Sequence, residues 1–286
     1  MNKIYFAPNW GMTSEQMLSD YIKQAPNTSG KWKTIEATCN VDEADYLIIQ
    51  DNCELDLLDR FSPNQCIYFS REALDSESIK RYPPERVKRF TFWDGSGYLW
   101  TKWHYHGNLG GINMTYDELG AEYARPEKTK SISCVQTSKI MTEVHVARQK
   151  FIREYVNKYP IDVYGSISCA NSQLIGNDKK QALDEYRYTL AFDNQITIES
   201  FFGTQLTDAL LRWTVPIYGG GANLHKYFPK KSFIKIDVEN LDDTDRIYKI
   251  IQDDDFESRI DDLEEARRLI MDKYNLWPTI ERIVNG

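Results

Sequence analysis

The sequence predicts an α/β fold in two halves, each a mostly parallel sheet covered by helices, and three observations carry that prediction. Short apolar runs alternate with helical patterns along the chain, the arrangement of parallel strands joined by covering helices. At 286 residues the chain is longer than a usual single domain of roughly 100 to 200 residues. The alternation loosens once, between Trp93 and Tyr123, and then resumes as a second series.

Lys3 to Ala7 reads as the first strand. Thr13 can cap the helix that follows, with Gln16 as its reciprocal partner, and Met17, Leu18, Tyr21 and Ile22 then fall on one broad face. Tyr46 to Gln50, Cys66 to Ser70 and Val87 to Phe92 supply the remaining strands of this half. The stretch that follows is rich in Gly and aromatics (Trp93, Tyr98, Trp100, Trp103, Tyr105) and ends in the polar run Arg125 to Lys130, where the boundary is placed: domains of residues 1–127 and 128–286, with the last helix packing back on the first.

Ser131 to Gln136 opens the second series. A helix from about Met141 to Asn157, strands Ile161 to Tyr164 and Tyr188 to Phe192, a helix from about Gly203 to Trp213, and strands Val215 to Tyr218 and Phe233 to Ile236 follow. Two helices close the chain, the second carrying Phe256, Ile260, Leu263, Ile270 and Tyr274 at helical spacing. Asp253-Asp254-Asp255 reads as a solvated helix end rather than a metal motif.

Composition narrows the function. A net charge of −8 argues against a nucleic-acid partner, which needs a basic face. The five cysteines (Cys39, Cys53, Cys66, Cys134, Cys169) are odd in number and far apart, so they read as reduced core thiols and not as a zinc or redox motif. Met1 to Phe6 enters a strand directly, without a signal peptide's apolar run, and no membrane segment stands out; the expectation is a soluble, cytoplasmic chain.

Arg148 is the most informative single residue. At 100° per residue, Val144, Phe151, Ile152 and Tyr155 all lie within about 60° of it, which puts a guanidinium inside the buried stripe of its helix. Such a charge needs an anion, either a protein carboxylate or a ligand phosphate, and the planar guanidinium fork suits phosphate. Gly219-Gly220-Gly221 follows a strand, where ligand crevices open in parallel sheets, although a tight turn explains three glycines equally well. Glu72, just after a strand, could serve as a general base or be an ordinary loop carboxylate. His104 and His106 in the aromatic loop lack a third ligand for a metal, and the loop could stack on sugar rings or fill a satellite core.

Four segments in order, Tyr188-Thr-Leu-Ala-Phe192-Asp193-Asn194, Leu206-Thr-Asp208-Ala209, Thr214-Val-Pro216-Ile-Tyr218-Gly219 and Phe228-Pro229-Lys-Lys-Ser232-Phe233, resemble the donor-binding signature of the α1,3-fucosyltransferase family. Arg148 to Phe151 followed by Ile161 to Gly165 resembles that family's arginine helix and next strand, and Tyr68 to Glu72 is similar to its N-terminal half more loosely. The resemblance implies a GT-B fold: two Rossmann-like domains with mostly parallel sheets facing a central cleft, an acceptor-binding half followed by a donor-binding half. It implies an inverting transfer of a sugar, fucose by default, from a nucleotide sugar (GDP-fucose or a UDP-sugar) to a glycan or glycoprotein hydroxyl, with no metal or other cofactor.

Carried over by position, Glu72 is the general base. Arg148, Tyr164, Gly165, Asp193, Asn194, Thr204, Gln205 and Gly219 bind the donor, and Arg71, Trp103 and His104 face the acceptor. One departure bears on the donor. Where the family carries Tyr-x-Thr-Glu-Lys, with the acid on the ribose and the lysine on the phosphate, this chain has Phe201-Phe202-Gly203-Thr204-Gln205. Both charges are missing, and Asp193 is one methylene shorter than the family's Glu. UDP-xylose is therefore a rival donor, and a non-catalytic nucleotide- or glycan-binding homologue is the alternative of another class. A glycoside hydrolase is disfavoured because no pair of carboxylates stands out.

Overall fold

The computed structural model describes residues 1–69, 85–87, 89–91, 114–121, 125–138, 140, 142–166, 178–193, 196, 199 and 201–286, and the chain separates into two compact units. Unit 1 holds residues 1–106, 113–121 and 271–286; unit 2 holds 107–112 and 122–270.

Unit 1 is built on a six-stranded sheet. In chain order it contains β1 (Asn2–Phe6), α1 (Ser14–Tyr21), β2 (Lys31–Trp32), β3 (Ile35–Ala37), β4 (Tyr46–Gln50), α2 (Leu55–Leu58), β5 (Cys66–Phe69), β6 (Arg89–Thr91) and α3 (Tyr116–Ala121). The strand order is β2-β3-β1-β4-β5-β6, parallel throughout except for the β2–β3 pair. Such a sheet is covered on both faces, which is why its strands read as unbroken apolar runs: Ile48, Ile67 and Phe69 point to one core, and Leu47, Ile49, Cys66 and Tyr68 to the other. α1 starts as its sequence dictates, with Thr13 and Gln16 forming a reciprocal capping box. The chain's last helix, Leu276–Asn285, belongs to this unit: Trp277 is fully buried, its indole N–H donates to the carbonyl of Tyr21 (2.8 Å), and Leu276, Ile280 and Val284 join the core of Ile4 and Phe6.

Unit 2 continues with β7 (Lys130–Gln136), α4 (Glu143–Lys158), β8 (Asp162–Gly165), α5 (Lys179–Asp184), β9 (Tyr186–Phe192), α6 (Thr204–Leu211), β10 (Val215–Gly219), β11 (Ile234–Lys235), α7 (Asp243–Asp253), α8 (Ile260–Leu269) and, back in unit 1, α9, the helix just described. Its five strands are all parallel in the order β11-β10-β9-β7-β8. From β7 the chain moves to β8 on one side, then crosses back to β9 on the other. Right-handed crossovers in opposite directions place their helices on opposite faces. α4 accordingly lies with α7, where Tyr159 stacks on Tyr248 (4.1 Å), while α5, α6 and α8 share the other face, joined by Arg212–Asp184 (2.6 Å) and by Arg267 donating to the Leu211 carbonyl (3.1 Å). The direction changes between β7 and β9, so a crevice opens beyond their carboxyl ends, the point where ligands bind in doubly wound sheets.

Lys128 secures the opposite end. Its buried ammonium donates to the carbonyls of Leu183 and Arg212, at the ends of α5 and α6, and to the Thr214 hydroxyl (2.8, 2.7 and 2.9 Å). Burial, opposed by Asp184 and reinforced by Arg212 and Arg125, pushes the ammonium down to about 7, while its place at two helix C-termini is a favourable one for a cation.

The structure departs from the sequence-based expectation in three places. The closing segment holds three α-helices rather than two, because the stripe from Phe256 to Tyr274 is not one helix: a short turn at Phe256–Arg259 precedes α8, and a widened turn at Ile270–Tyr274 separates it from α9. Asp254 and Asp255 are not simply solvated. Asp254 adopts a left-handed backbone and pairs with Arg187, while Asp255 binds Arg259 (2.6 Å) and accepts from the Tyr188 hydroxyl (3.1 Å). Cys39 is exposed, whereas Cys53, Cys66 and Cys134 are buried in the core; Cys169 lies outside the described residues.

Gly165, at the end of β8, has φ +100°, and a Cβ there would overlap the carbonyl oxygen of Gln136 on β7. Gly165→Ala combines a left-handed strain with a backbone clash and should cost about 3 kcal/mol or more. An unfolding free energy from urea titration within about 0.5 kcal/mol of wild type, a surface-substitution value, would refute that close approach.

Candidate functional site

The candidate site is the carboxyl edge of the unit 2 sheet, around the crevice between β7 and β9. Arg148 reaches it from α4. That helix begins at Thr142, whose hydroxyl accepts from the His145 N–H (3.4 Å), and its inward face carries Phe151, Ile152 and Tyr155 as the sequence spacing requires. Arg148 is 7% exposed, and its Nε is buried without a hydrogen-bond partner. Among the described residues no carboxylate forms an ion pair with it. Burial pushes the guanidinium below its ordinary pKa, opposed by Asp193 and, after it, Cys134.

Asp193, directly after β9, is buried with both its bonds on one oxygen: Oδ2 accepts from the Tyr218 hydroxyl (2.5 Å) and from the Gly203 N–H (2.8 Å). Burial raises its pKa; Tyr218, Gly203, Lys179 and Arg148 oppose that rise. Gly203 is the residue preceding α6, and a Cβ on it would lie 2.7 Å from Asp193 Oδ1, so glycine is required for the carboxylate to come this close. Thr204 and Gln205 follow as the first two residues of α6, half-buried, at a helix end whose preceding residue offers no side-chain cap. Phe201 and Phe202 are anchors behind this turn, Phe202 packing on Tyr227 and Phe228.

Other charges near α6 are already committed. Lys179 on α5 and Asp208 on α6 form a buried ion pair (2.6 Å), and Lys179 also donates to the Thr204 carbonyl (3.2 Å). Burial pushes the Asp208 carboxyl up to about 6 against the pull of Lys179. At the sheet's edge a cavity of about 440 Å³ opens beyond β10 and β11, lined by Gly219, Gly220, Lys235 and Arg246 among others. Its polar groups also have partners: Lys235 donates to the Gly220 carbonyl (2.6 Å), Arg246 to that of Lys235 (3.1 Å), and the Asp243 carboxylate accepts from the Asp237 N–H (2.9 Å). Gly219 lets the chain pass Phe192 and Val238, which a Cβ would approach to 3.0 and 3.3 Å.

The carboxyl edge of the sheet thus carries Asp193, with Thr204 and Gln205 at the start of α6, Gly165 and Gly219 at strand ends, and Arg148 near enough to Asp193 to influence its carboxylate. Tyr164 stands apart from them: it is fully buried on the α5 side, its ring against Tyr186 and its hydroxyl 3.1 Å from that of Tyr186, and so serves as core rather than as lining. Glu72, Arg71, Trp103, His104, His106 and Asn194 lie outside the described residues. Sequence reasoning missed Gln136, the last residue of β7, 2% exposed with Nε2 buried and unpartnered. A polar residue closing an apolar strand at its carboxyl end was the available signal. It also missed the partners of Asp193 and Lys179, which are distant in sequence.

Comparison with known proteins follows the same lines. Residues 125–255, all within unit 2, match the family model for the C-terminal part of glycosyltransferase family 10 (fucosyltransferase). A solved α1,3-fucosyltransferase superposes with a TM-score of 0.52 at 16% identity, covering 92% of this chain and 80% of its own. Structures of α1,3-fucosyltransferase with GDP and with GDP-fucose each give 0.50 at 17% identity, covering 100% of this chain and 90% of theirs. None of the curated proteins matches in sequence. Fold and family model together define a glycosyltransferase of the GT-B class. Within that class the similarity runs to the α1,3-fucosyltransferases, through the family match over residues 125–255 and through the fold, at low sequence identity. Among the described residues no helix is long and apolar enough to cross a membrane, and no group of three or more His, Cys, Asp or Glu is placed to hold a metal.

Tyr218→Phe tests the Asp193 arrangement. Removing a hydrogen bond to a buried carboxylate should cost about 1.5–3 kcal/mol by chemical denaturation. A change below about 0.5 kcal/mol would mean that Asp193 is held by something else.

Proposed function

We propose that this glycosyltransferase inverts the sugar carbon as it moves a sugar, fucose by family default, from GDP-fucose or a UDP-sugar to a glycan or glycoprotein hydroxyl, without a metal. The observation that carries the reading is Arg148, a buried guanidinium at the switch point of a doubly wound sheet with no ion-pair partner among the described residues. An unpaired buried charge is costly, and a nucleotide diphosphate supplies the missing anion in the geometry that a guanidinium fork prefers. The first two amides of α6 add donors at the positive end of a helix dipole. Asp193 positions that end through Gly203.

In this reading Glu72 removes the proton from the acceptor hydroxyl as the sugar carbon is attacked, and Arg148 neutralises the departing nucleotide diphosphate. Asn194 and Gly219 border the donor; Arg71, Trp103 and His104 face the acceptor. The chain works in the cytoplasm as a soluble enzyme. Thr204 and Gln205 favour a second reading, a homologue that binds a nucleotide or glycan without turnover, because they stand where the family's acid and lysine would be.

Product formation across a panel including GDP-fucose and UDP-xylose is the direct test. Transfer or hydrolysis with one of them is expected, and absence of both with every donor, in folded protein, sinks the enzymatic reading. Arg148→Met should weaken nucleotide binding by roughly 10- to 100-fold in calorimetry, the loss of a charge-assisted hydrogen bond. Glu72→Gln should lower kcat by about 10²- to 10⁴-fold while leaving nucleotide affinity unchanged. Nucleotide binding without turnover, indifferent to Glu72→Gln, would establish the binding homologue instead.

A further inference from the structure

We infer, on the strength of the donor reading above, that Gln136 is a donor-contact residue whose side-chain amide hydrogen-bonds the diphosphate beside Arg148. Gln136 ends β7 at the crevice. Its position is fixed by its main chain, since its carbonyl accepts from the Ser166 N–H (3.0 Å) and the Gly165 backbone presses against it. Its side chain shares the α4 face with Arg148. Ser133 on the same strand points the other way, donating to the Ala182 carbonyl of α5 (2.6 Å), and Val135 packs with Tyr164 and Ala182. Successive strand residues alternate, so Cys134 and Gln136 face α4, where Arg148 interacts with Cys134.

The chemistry of the ligand follows from which atoms lack partners. Among the described residues of this face they are Nε2 of Gln136 and Nε of Arg148, both donors; the orphaned acceptor described in unit 2, Asp208 Oδ1, belongs to α6 on the opposite face. Buried polar groups are nearly always paired, so two orphaned donors with no orphaned acceptor beside them fit a group that only accepts. A diphosphate is such a group; a base or a sugar hydroxyl would also donate. A neutral amide also adds a hydrogen bond without adding a second charge to the α4 face.

Calorimetry on the full chain tests this with GDP, UDP and inorganic pyrophosphate as probes. Gln136→Leu, close in size, should weaken both pyrophosphate and the preferred nucleotide by roughly tenfold, the worth of a hydrogen bond to a charged group. Gln136→Glu, nearly the same shape, should weaken them further, because it sets a carboxylate against the oxyanion. Both variants should melt near the wild-type temperature without ligand, and if Gln136→Leu does not fold, Gln136→Glu carries the test. Wild-type affinities in the folded variants overturn the role of Gln136 alone. So does a loss confined to the nucleotide with pyrophosphate unaffected. Failure of the wild type itself to bind any of the probes sinks the donor reading, a result that does not involve the variants.

Discussion

One carboxylate holds the candidate site in shape. Asp193 follows β9, accepts from the hydroxyl of Tyr218 on β10, and accepts from the amide that opens α6. Three elements that meet at the sheet's edge are thus fixed to a single oxygen. Because the group is buried, neither of its partners competes with water, and each bond is worth more than it would be at the surface. The same burial raises the carboxyl's pKa, and the donors and cations around it, Arg148 among them, oppose that rise. The geometry of the α6 start and the electrostatics of the arginine are therefore one problem.

The strand order places that problem where a ligand can reach it. Had β9 followed β8 on the same side of β7, the helices would lie on one face and the loops after the strands would close over one another. The reversal sends α4 to one face and α6 to the other, leaving their N-terminal ends to flank a gap. Lys128 at the opposite end does the complementary work, binding the C-terminal ends of α5 and α6 together. The negative ends of α5 and α6 are occupied by that ammonium, at the end of the sheet opposite the crevice.

Most of this architecture was legible in the sequence because it rests on periodicity. Parallel strands buried on both faces leave apolar runs, and the arginine in the α4 stripe broke a pattern strong enough to make the exception visible. Elements whose boundaries depend on packing were less legible: the segment from Phe256 to Tyr274 keeps helical spacing throughout, yet a widened turn divides it, and nothing in the apolar stripe marks the place. In the site, residue types could be read but not their partners. Asp193 was assigned to the donor from its position, whereas its bonds to Gly203 and Tyr218 join residues 10 and 25 positions away. Tyr164, from the same kind of reading, spends its hydroxyl on Tyr186 inside the core.

The missing charges at Thr204 and Gln205 acquire a different meaning in this setting. Side chains at the first turn of a helix can be exchanged without removing what the backbone offers, since the amides and the dipole remain. Among the described residues the nearby cations are committed elsewhere: Lys179 touches the first turn of α6 but is bound to Asp208, and Lys235 is bound to carbonyls. In the proposed reading Arg148 meets the oxyanion with uncharged donors for company. Anchoring by neutral donors and one guanidinium depends on position more than on net charge, which is why the proposed site leans so heavily on the rigid frame that Asp193, Gly165 and Gly203 maintain. An acid at the ribose selects one nucleoside over another, whereas the frame recognises only a diphosphate. In the proposed reading, then, the divergence at this turn alters which nucleotide sugar is preferred and leaves intact the means by which its phosphates are held.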